Sequence, residues 1–590
     1  MSHVLILKVG PVQGFIAQAR RTRDLWYGSR LLSMLSQAMA RALQQLGATL
    51  VFPHKEQVSD TSTGVANKVL ALVDGDPAEA ARRARQEARD VLLREGRKVL
   101  DKNAALLIPE ARALAEEQFE TFLELHAAWA PYGGTRDYAT ALAEAEAALE
   151  ARRTLHDFPA WARQPPAGTH KSSLDGARPS VLRREGRKGG AWAQYRIGER
   201  EELDALGLLK RAGGTPGQFV PVPSIGLAAW LDKARESHPE ALASLREACA
   251  SHKFTHVHRP ELPWVEAFPY DGQLLLPERW QPYFEEYGIP DAPREAARFG
   301  ARYAVPLRQA LGEPYPYVAC LVADGDRMGT VVQALASCGG PQAHQRLSRE
   351  LSAFTAEARR IVERRHRGVL VYAGGDDVLA FVCPPDAPAC ARALAEAFER
   401  AVSRALEGTG VSPPTLSVGL GIGHVLESLG QLLDLGRRAE RAAKEAGRNA
   451  LAVLVAKHSS RERLWTAGWS TRPLERLEAD MKLLAAGELP LGKVHEVEDL
   501  ARRFARGAQD ADAPHEEARV LTLELKRILA RAEAGSPPGT LSPEAVGLEE
   551  LGLPGRGAVR PSLEAWASRV LVAEALERAG RVLKPKGGAA

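Results

Sequence analysis

Gly374-Gly375-Asp376-Asp377 sets two adjacent carboxylates in a glycine-opened turn, and Asp324 stands directly after the apolar run Tyr317 to Ala323. Glycines let the backbone turn tightly and leave room for a ligand. Val369 to Ala373 and Val378 to Cys383 flank the tetrapeptide as apolar runs of strand length, so it reads as a hairpin able to lie beside Asp324. Carboxylates gathered at one sheet edge repel each other unless a cation sits among them, and oxygen-only ligands suit Mg²⁺ or Mn²⁺. Such ions serve nucleotidyl transfer. One activates a ribose 3′-hydroxyl and the other holds the triphosphate, roughly 3.5–4 Å apart in two-metal sites. Gly and Asp are also ordinary turn residues, so the tetrapeptide alone reads as well as a polar hairpin. Two neighbouring features favour chemistry. Asp324-Gly325-Asp326-Arg327-Met328-Gly329 places acids directly after a buried strand. Arg437, Arg441 and Lys444 share one helical face, with Arg448 just past Gly447, and are suited to triphosphate contacts.

The elements that must position these residues follow from periodicity. A helical stretch runs from the DGDRMG segment to about His366 and another from Ala389 to Leu406. Leu416, Val418, Leu420 and Ile422 alternate with Ser417, Gly419 and Gly421 as in a strand. A basic helix spans Leu429 to Ala446, stopped by Gly447, and Ala450 to Val455 is a last strand. The order β-α-β-β-α-β-α-β predicts a sheet with helices on one face. The N-terminus repeats its opening: strand His3 to Val9, helix to about Leu46, strands Thr49–Phe52 and Lys68–Val73. Charged helical stretches from Pro77 to Trp129 and Tyr138 to Arg153 follow. The expected class is α+β: a first sheet domain over 1–164 with a helical insertion, a connecting domain over 165–312, a second copy of the sheet domain over 313–459 and a C-terminal helical domain over 460–590. The connecting stretch is rich in Pro, Gly, Trp and His and reads as irregular. Arg183, Arg184, Arg187 and Lys188 around Gly186 read there as a solvated loop, with RNA contact the alternative. The tail 584–590 reads as disordered.

With 590 residues, 45% hydrophobic and 26% charged, the chain has an ordinary globular composition and length for three to five domains. A net charge of +4 does not by itself indicate a nucleic-acid partner. No apolar run reaches the roughly 18 residues of a membrane span, and Met1 to Val9 lacks the basic region of a signal peptide, so a cytoplasmic protein with no membrane partner is expected. The five cysteines form no C-x-x-C pair and read as buried small apolar residues.

Lys444-Glu445-Ala446-Gly447-Arg448-Asn449 resembles the A-K-x-x-G-R-N segment of GGDEF-type nucleotidyl cyclases, whose palm domain some polymerases share. That resemblance implies a phosphate contact for Lys444 and metal binding by Asp324 and Asp377. Lys8-Val9-Gly10-Pro11-Val12-Gln13-Gly14-Phe15-Ile16, Ala19-Arg20-Arg21-Thr22-Arg23-Asp24-Leu25-Trp26 with Gly28-Ser29, Ala66-Asn67-Lys68-Val69-Leu70-Ala71 and the 323–329 segment resemble the large subunit of Cmr-type, III-B, CRISPR effector complexes, the Cas-ten family. The likeness covers most of residues 1 to 460. It implies two ferredoxin-like palms of the nucleotidyl cyclase/polymerase kind. It also implies an RNA-guided complex with guide RNA, target RNA and smaller Cmr-type subunits. Target pairing would then switch on ATP joining into a second messenger, commonly cyclic oligoadenylate. Asp324, Asp376 and Asp377 inherit the catalytic and metal roles. Gly374, Gly375, Gly325, Asp326, Lys444, Arg448 and Arg441 inherit nucleotide binding. The non-catalytic first palm, with Gly10-Pro11 where Asp324 would be, offers Gln13, Gly14, Gly28 and Ser29 to the acceptor.

Two departures shape the expectation. Many members open with an HD nuclease domain. This chain starts at the palm strand, and His156-Asp157 reads as a chance pair, so no HD nuclease activity is expected. Members also often carry Cys-x-x-Cys zinc pairs, which Ser172 and Asp175 replace with poor zinc ligands. His252, His256 and His258 read as a polar surface loop, and no zinc is expected. The alternatives to an oligoadenylate synthase are a catalytically silent scaffold of the complex and a free-standing nucleotide cyclase.

Overall fold

Val4, Leu5, Ile6 and Leu7 are wholly buried, a continuous apolar run that only a strand covered on both faces satisfies. It forms β1 (Ser2–Gly10), central in a four-stranded antiparallel sheet with β2 (Thr49–Phe52), β3 (Lys68–Asp74) and β4 (Glu124–Tyr132) in the order β2-β3-β1-β4. The computed structural model describes residues 2–59, 64–155, 165–187, 189–457, 461–505, 514–531, 541, 546 and 559–583. His156-Asp157, Lys188 and the tail 584–590 lie outside them. β4 corrects the expected long helix. Its alanine-rich sequence favours helix locally, but pairing with β1 from Ser2↔Tyr132 to Gly10↔Glu124 overrides that propensity. The expected stretch instead holds one helix, Pro77–Lys102, begun by a Pro77 turn that Asp76 caps, and a short second one, Arg112–Glu120, before β4.

The second sheet contains β5 (Tyr317–Gly325), β6 (Gly368–Gly374), β7 (Asp377–Val382), β8 (Leu416–His424), β9 (Ala450–Val455) and β10 (Arg463–Gly468), in the order β10-β9-β8-β5-β7-β6. Only β8 and β9 run parallel. β10 was not expected; its six residues pair with β9 in a stretch otherwise read as helical. The helices Met328–Arg360, kinked at Gly340-Pro341, and Ala387–Leu406 pack on the face of Ala319, Leu321, Val418 and Leu420. The Leu429–Glu445 helix lies on the other face, so the sheet is covered on both sides rather than one. It is the crossover of the parallel β8–β9 pair, and its sense places it opposite the other two.

That crossover helix sits unusually close. A Cβ on Gly419 would lie 2.1 Å from the Glu440 backbone nitrogen, and one on Gly421 would lie 2.3 Å from that of Gly436. The small residues alternating along β8 thus form a backbone-to-backbone seat for the helix that carries Lys444.

The two palms pack directly. Val332 and Ala336 of the Met328–Arg360 helix join Val4, Ile6, Val51 and Leu70 of the first sheet, and Gln345 Nε2 donates to the Leu50 carbonyl at 2.9 Å. His344, wholly buried, lies 2.9 Å from Tyr138 Oη and 2.6 Å from the Val332 carbonyl. Burial holds its pKa below the usual histidine value, outweighing the opposing pull of Val332 and Glu146. The native state therefore binds this proton less tightly than the unfolded chain. Its contribution is complete above the unfolded value near about 6.5 and is lost as pH falls below it. The palm junction should loosen progressively below about pH 6.5, read as rising hydrogen exchange in the Tyr138–Thr154 helix; His344→Gln should flatten that dependence, and an unchanged pH profile in the variant refutes the assignment.

The connecting stretch corrects another expectation. It is largely helical, with Ala205–Ala212, Ala228–Ser237, Pro239–Ser251, Pro277–Glu286 and Ala292–Phe299 among its helices. Two of them open on proline, which punctuates the sequence but is at home in a first helical turn. Beyond β10 the described residues are mainly helical, with Trp566 fully buried among Val494, Leu525 and Leu563. Among the described residues no helix is long and apolar enough to cross a membrane.

Candidate active site

β5 delivers Asp324 to the sheet edge, opposite Ser417 of β8, one pair beyond Ala323↔Val378. The β6–β7 hairpin closes on the pair Gly374↔Asp377, and Gly375 takes φ +70°, a conformation only glycine adopts freely. Asp376 then packs on the β5 backbone: a Cβ at Gly325 would lie 2.9 Å from Asp376 Oδ2. The three predicted carboxylates are thus brought together. Both hairpin acids are held above the ordinary aspartate range. For Asp376 the causes are withdrawal from water, then repulsion from Asp324. For Asp377 they are withdrawal from water, a hydrogen bond with Asp324, and repulsion from Asp376. Asp377 keeps an exposed surface, so the crowding of acids is the cause the geometry supports best.

Lys444, in the last turn of the crossover helix, hydrogen-bonds Asp324 Oδ2. Its Nζ is also 2.7 Å from Glu440 Oε1, an ion pair rather than an aligned hydrogen bond. Burial alone would lower the lysine pKa; Asp324 and Glu440 outweigh it and raise it, so the ammonium stays charged. Arg441 is exposed one turn earlier, and Arg448 is exposed just past the helix with φ +68°. Arg327, Arg448 and Asn449 all hold left-handed backbone beside the acidic turn. Such strain costs on the order of 1–3 kcal/mol per residue and gathers at functional sites.

Asp324, Asp376 and Asp377 lie close enough to repel one another, but among the described residues no three His, Cys, Asp or Glu side chains are arranged as a ready set of metal ligands; the cation facing Asp324 is the Lys444 ammonium. The donor set nevertheless fits a hard divalent ion. It is all oxygen, and it carries crowded negative charge that such an ion relieves.

Asp326, expected to face a nucleotide, turns inward. Its carboxylate accepts from Thr415 Oγ1 at 2.7 Å, Ser417 Oγ at 2.8 Å and the Asn449 backbone at 3.0 Å. These bonds saturate it and tie β5 to β8 and to the loop after Lys444, which makes it a positioning residue. On the first palm, Ser29 lines a cavity of about 370 Å³ whose far wall is Val371, Tyr372 and Ala373, directly before the glycine pair. Gly28 faces away, against Lys210 and Phe15. Gly14 is exposed, and the Gln13 side chain lies outside the described residues.

Two residues of this cavity escaped the sequence reading. Tyr372 sits against the turn: a Cβ on Gly374 would lie 2.2 Å from its hydroxyl. Burial, then repulsion from Asp377 and Asp376, raises its pKa. Gly64 lies so near β6 that a Cβ there would meet the Ala373 carbonyl at 2.2 Å. A tyrosine in an apolar strand and a lone loop glycine carry no signal before the fold is known.

At the stretch expected to have lost zinc ligands, Ser172 and Asp175 cap a tight turn: the Ser172 amide donates to the Arg178 carbonyl at 2.8 Å and Asp175 Oδ1 accepts from Ala177 at 2.9 Å. His252 is partly buried and stacks on Phe254, rather than lying in a surface loop, while His256 packs edge-on to Tyr270.

Two palm-type sheets packed together, one with an acidic hairpin and one without, define a two-palm protein of the nucleotidyl-cyclase-like class. Residues 317–452 match the model described as Cas10/Cmr2, second palm domain, and residues 4–129 match CRISPR-associated protein Cmr2, N-terminal. Both matched segments are domains of the Cas10/Cmr2 kind, one in each palm. It is similar to the CRISPR system Cmr subunit Cmr2 of Pyrococcus furiosus, at 30% identity over 187 residues, 27% of this chain and 21% of the relative. The match thus spans about a fifth of that relative's length. A type III-B Cmr-beta structure in the apo state superposes with a TM-score of 0.61 at 12% identity, over 92% of this chain and 78% of that one. The same assembly bound to cognate target RNA gives 0.60 at 11%, over 90% and 79%. At these identities the superpositions speak for the fold.

Proposed function

We propose that this chain is the large subunit of a type III-B CRISPR complex and that its second palm joins ATP into an oligoadenylate-type second messenger when target RNA is bound. The observation that carries the reading is the meeting of Asp324, Asp376 and Asp377 with Lys444 at one sheet edge, beside a cavity walled by the first palm. Asp324 and Asp377, with Asp376 beside them, would hold Mg²⁺ or Mn²⁺, which supplies Lewis-acid stabilisation of the developing phosphoryl charge. Ser29 lies on the acceptor wall and Tyr372 on the opposite wall, so a nucleotide between them would be oriented from both palms. Lys444 is held between two carboxylates; exchanging Asp324 for a phosphate oxygen keeps its charge balanced and brings it onto the triphosphate. Asp326 holds the loop of Arg448 in place for the same contact. Guide RNA, target RNA and smaller Cmr-type subunits are the proposed partners, the cytoplasm the proposed compartment.

The reading is tested by mass spectrometry of the products formed from ATP and Mg²⁺ by the complex with and without cognate target RNA. An RNA-dependent ladder or ring of adenylates is expected; ATP left intact would make the chain a scaffold. Lys444→Ala should raise KM or lower kcat for ATP by tenfold or more without changing RNA binding. A rise in KM alone marks ground-state binding, and wild-type kinetics would remove the residue from the site.

A further inference from the structure

A second cavity, about 760 Å³, opens where the start of the Thr22–Gln45 helix, the connecting segment and the loop after β8 meet. It is remote from the acidic turn. Ser417 pairs with Asp324 at one end of β8, whereas Val425, which lines this cavity, follows the other end, roughly 25–30 Å away at the rise of a strand. Six arginines line it: Arg20, Arg21, Arg23, Arg196, Arg200 and Arg279.

Its carboxylates are already engaged. Glu201 binds the buried Arg211 at 2.9 and 3.0 Å. Asp271 and Glu286 clamp Arg196, and Glu286 Oε1 also takes Arg279 at 3.2 Å. Arg20 donates to the Ser173 carbonyl at 3.0 Å and Arg21 to that of Arg196 at 3.2 Å. Arg23 is 8% exposed and sandwiched at 5.2 and 4.8 Å from the Tyr195 and Phe219 rings. Nη1 reaches the Gln194 carbonyl at 3.4 Å, but Nε and Nη2 are buried with no hydrogen-bond partner. A buried guanidinium with two orphan donors is costly, and such an exception calls for a partner that the chain itself does not supply. Burial pushes the Arg23 pKa down to about 10 against the opposing pull of Asp24.

We propose that this cavity is a second nucleotide-phosphate site, in which Arg21, Arg23 and Arg200 hold the phosphate and the partly exposed Tyr287 ring receives the base. Guanidinium forks converging on one volume match the several oxygens and multiple charge of a phosphate better than a single carboxylate. The volume lies within the range of small-ligand pockets, and the Tyr287 ring, partly exposed in the wall and backed by the buried Tyr283, offers a stacking surface. The ligand is a free nucleotide or the 5′-phosphate nucleotide of an RNA end.

Calorimetric binding of ADP to the full chain in EDTA tests this, because the carboxylate site as proposed above needs a divalent ion. Asp376→Asn/Asp377→Asn, run alongside, should leave this binding unchanged. Wild type should bind ADP tighter than about 1 mM. Arg23→Gln should weaken it at least tenfold, and Arg200→Gln, at an exposed residue whose loss spares the core, several-fold. No measurable binding in EDTA, or unaltered affinity in a folded Arg23→Gln and in Arg200→Gln, overturns the proposal; should Arg23→Gln fail to fold, Arg200→Gln alone decides. A short 5′-phosphorylated RNA that displaces ADP when its 5′-hydroxyl twin does not assigns the site to a strand end; failure of both assigns it to a free nucleotide.

Discussion

Replacing Asp376 and Asp377 together by alanine should cut nucleotide product by at least about a hundredfold while the chain stays folded. Stabilising the developing phosphoryl charge is typically worth several kcal/mol, and each 1.36 kcal/mol is a factor of ten in rate. The fold should survive because the change removes two crowded carboxyls whose mutual repulsion the native chain bears. The same logic gives a readout without turnover. Mg²⁺ should raise the melting temperature of the wild type, since an ion that binds only the folded chain stabilises it by mass action, about 2.7 kcal/mol at a hundredfold excess over Kd. It should leave the double variant unmoved. Undiminished product, or equal Mg²⁺ stabilisation of both proteins, would remove the acidic hairpin from the chemistry.

Arg211→Ala should produce the largest loss of stability, about 3–5 kcal/mol. Arg211 and Asp24 are completely buried; the guanidinium meets Asp24 at 2.6 and 2.8 Å and Glu201 at 2.9 and 3.0 Å. Burial alone would raise both carboxyl pKa values, and the arginine outweighs it and holds them ionised. Removing it strands two buried acids. Asp24 Oδ2 also accepts the backbone amides of Arg20 and Arg21 at 3.1 Å each, so the first turns of the Thr22–Gln45 helix should open as well. Hydrogen exchange in that helix should accelerate at least about a hundredfold. Arg211→Lys should rescue little, since an ammonium cannot satisfy two carboxylates in fork geometry. Unchanged exchange in the alanine variant would mean that the triad adds nothing to the junction.

Legibility in the sequence followed the range of the interactions. The second palm's strands and helices were readable because each carries its own periodicity, and the acidic hairpin because its residue types are unusual together. β4 was misread because its reason for being a strand lies in β1, more than a hundred positions away in the chain. The connecting segment was misread because prolines at helix starts look like breaks. Asp326 was credited with facing a nucleotide because its partners, Thr415, Ser417 and Asn449, arrive only with the folded sheet. Asp24 and the arginines before it were visible as a motif, but nothing local distinguishes the buried Arg23 from the exposed Arg20.

Most helices meet a sheet through interlocking side chains, a layer that can repack rotamer by rotamer when one partner shifts. At Gly419 and Gly421 that layer is missing. The Leu429–Glu445 helix and β8 touch main chain to main chain, and such a joint has no compliant padding to absorb movement. A tilt of the helix passes undamped into β8, and through the β8–β5 pairing to Asp324, while Lys444 rides on the helix itself. The two oppositely charged ends of the site are mounted on parts of one stiff bracket, so their spacing is set by backbone geometry.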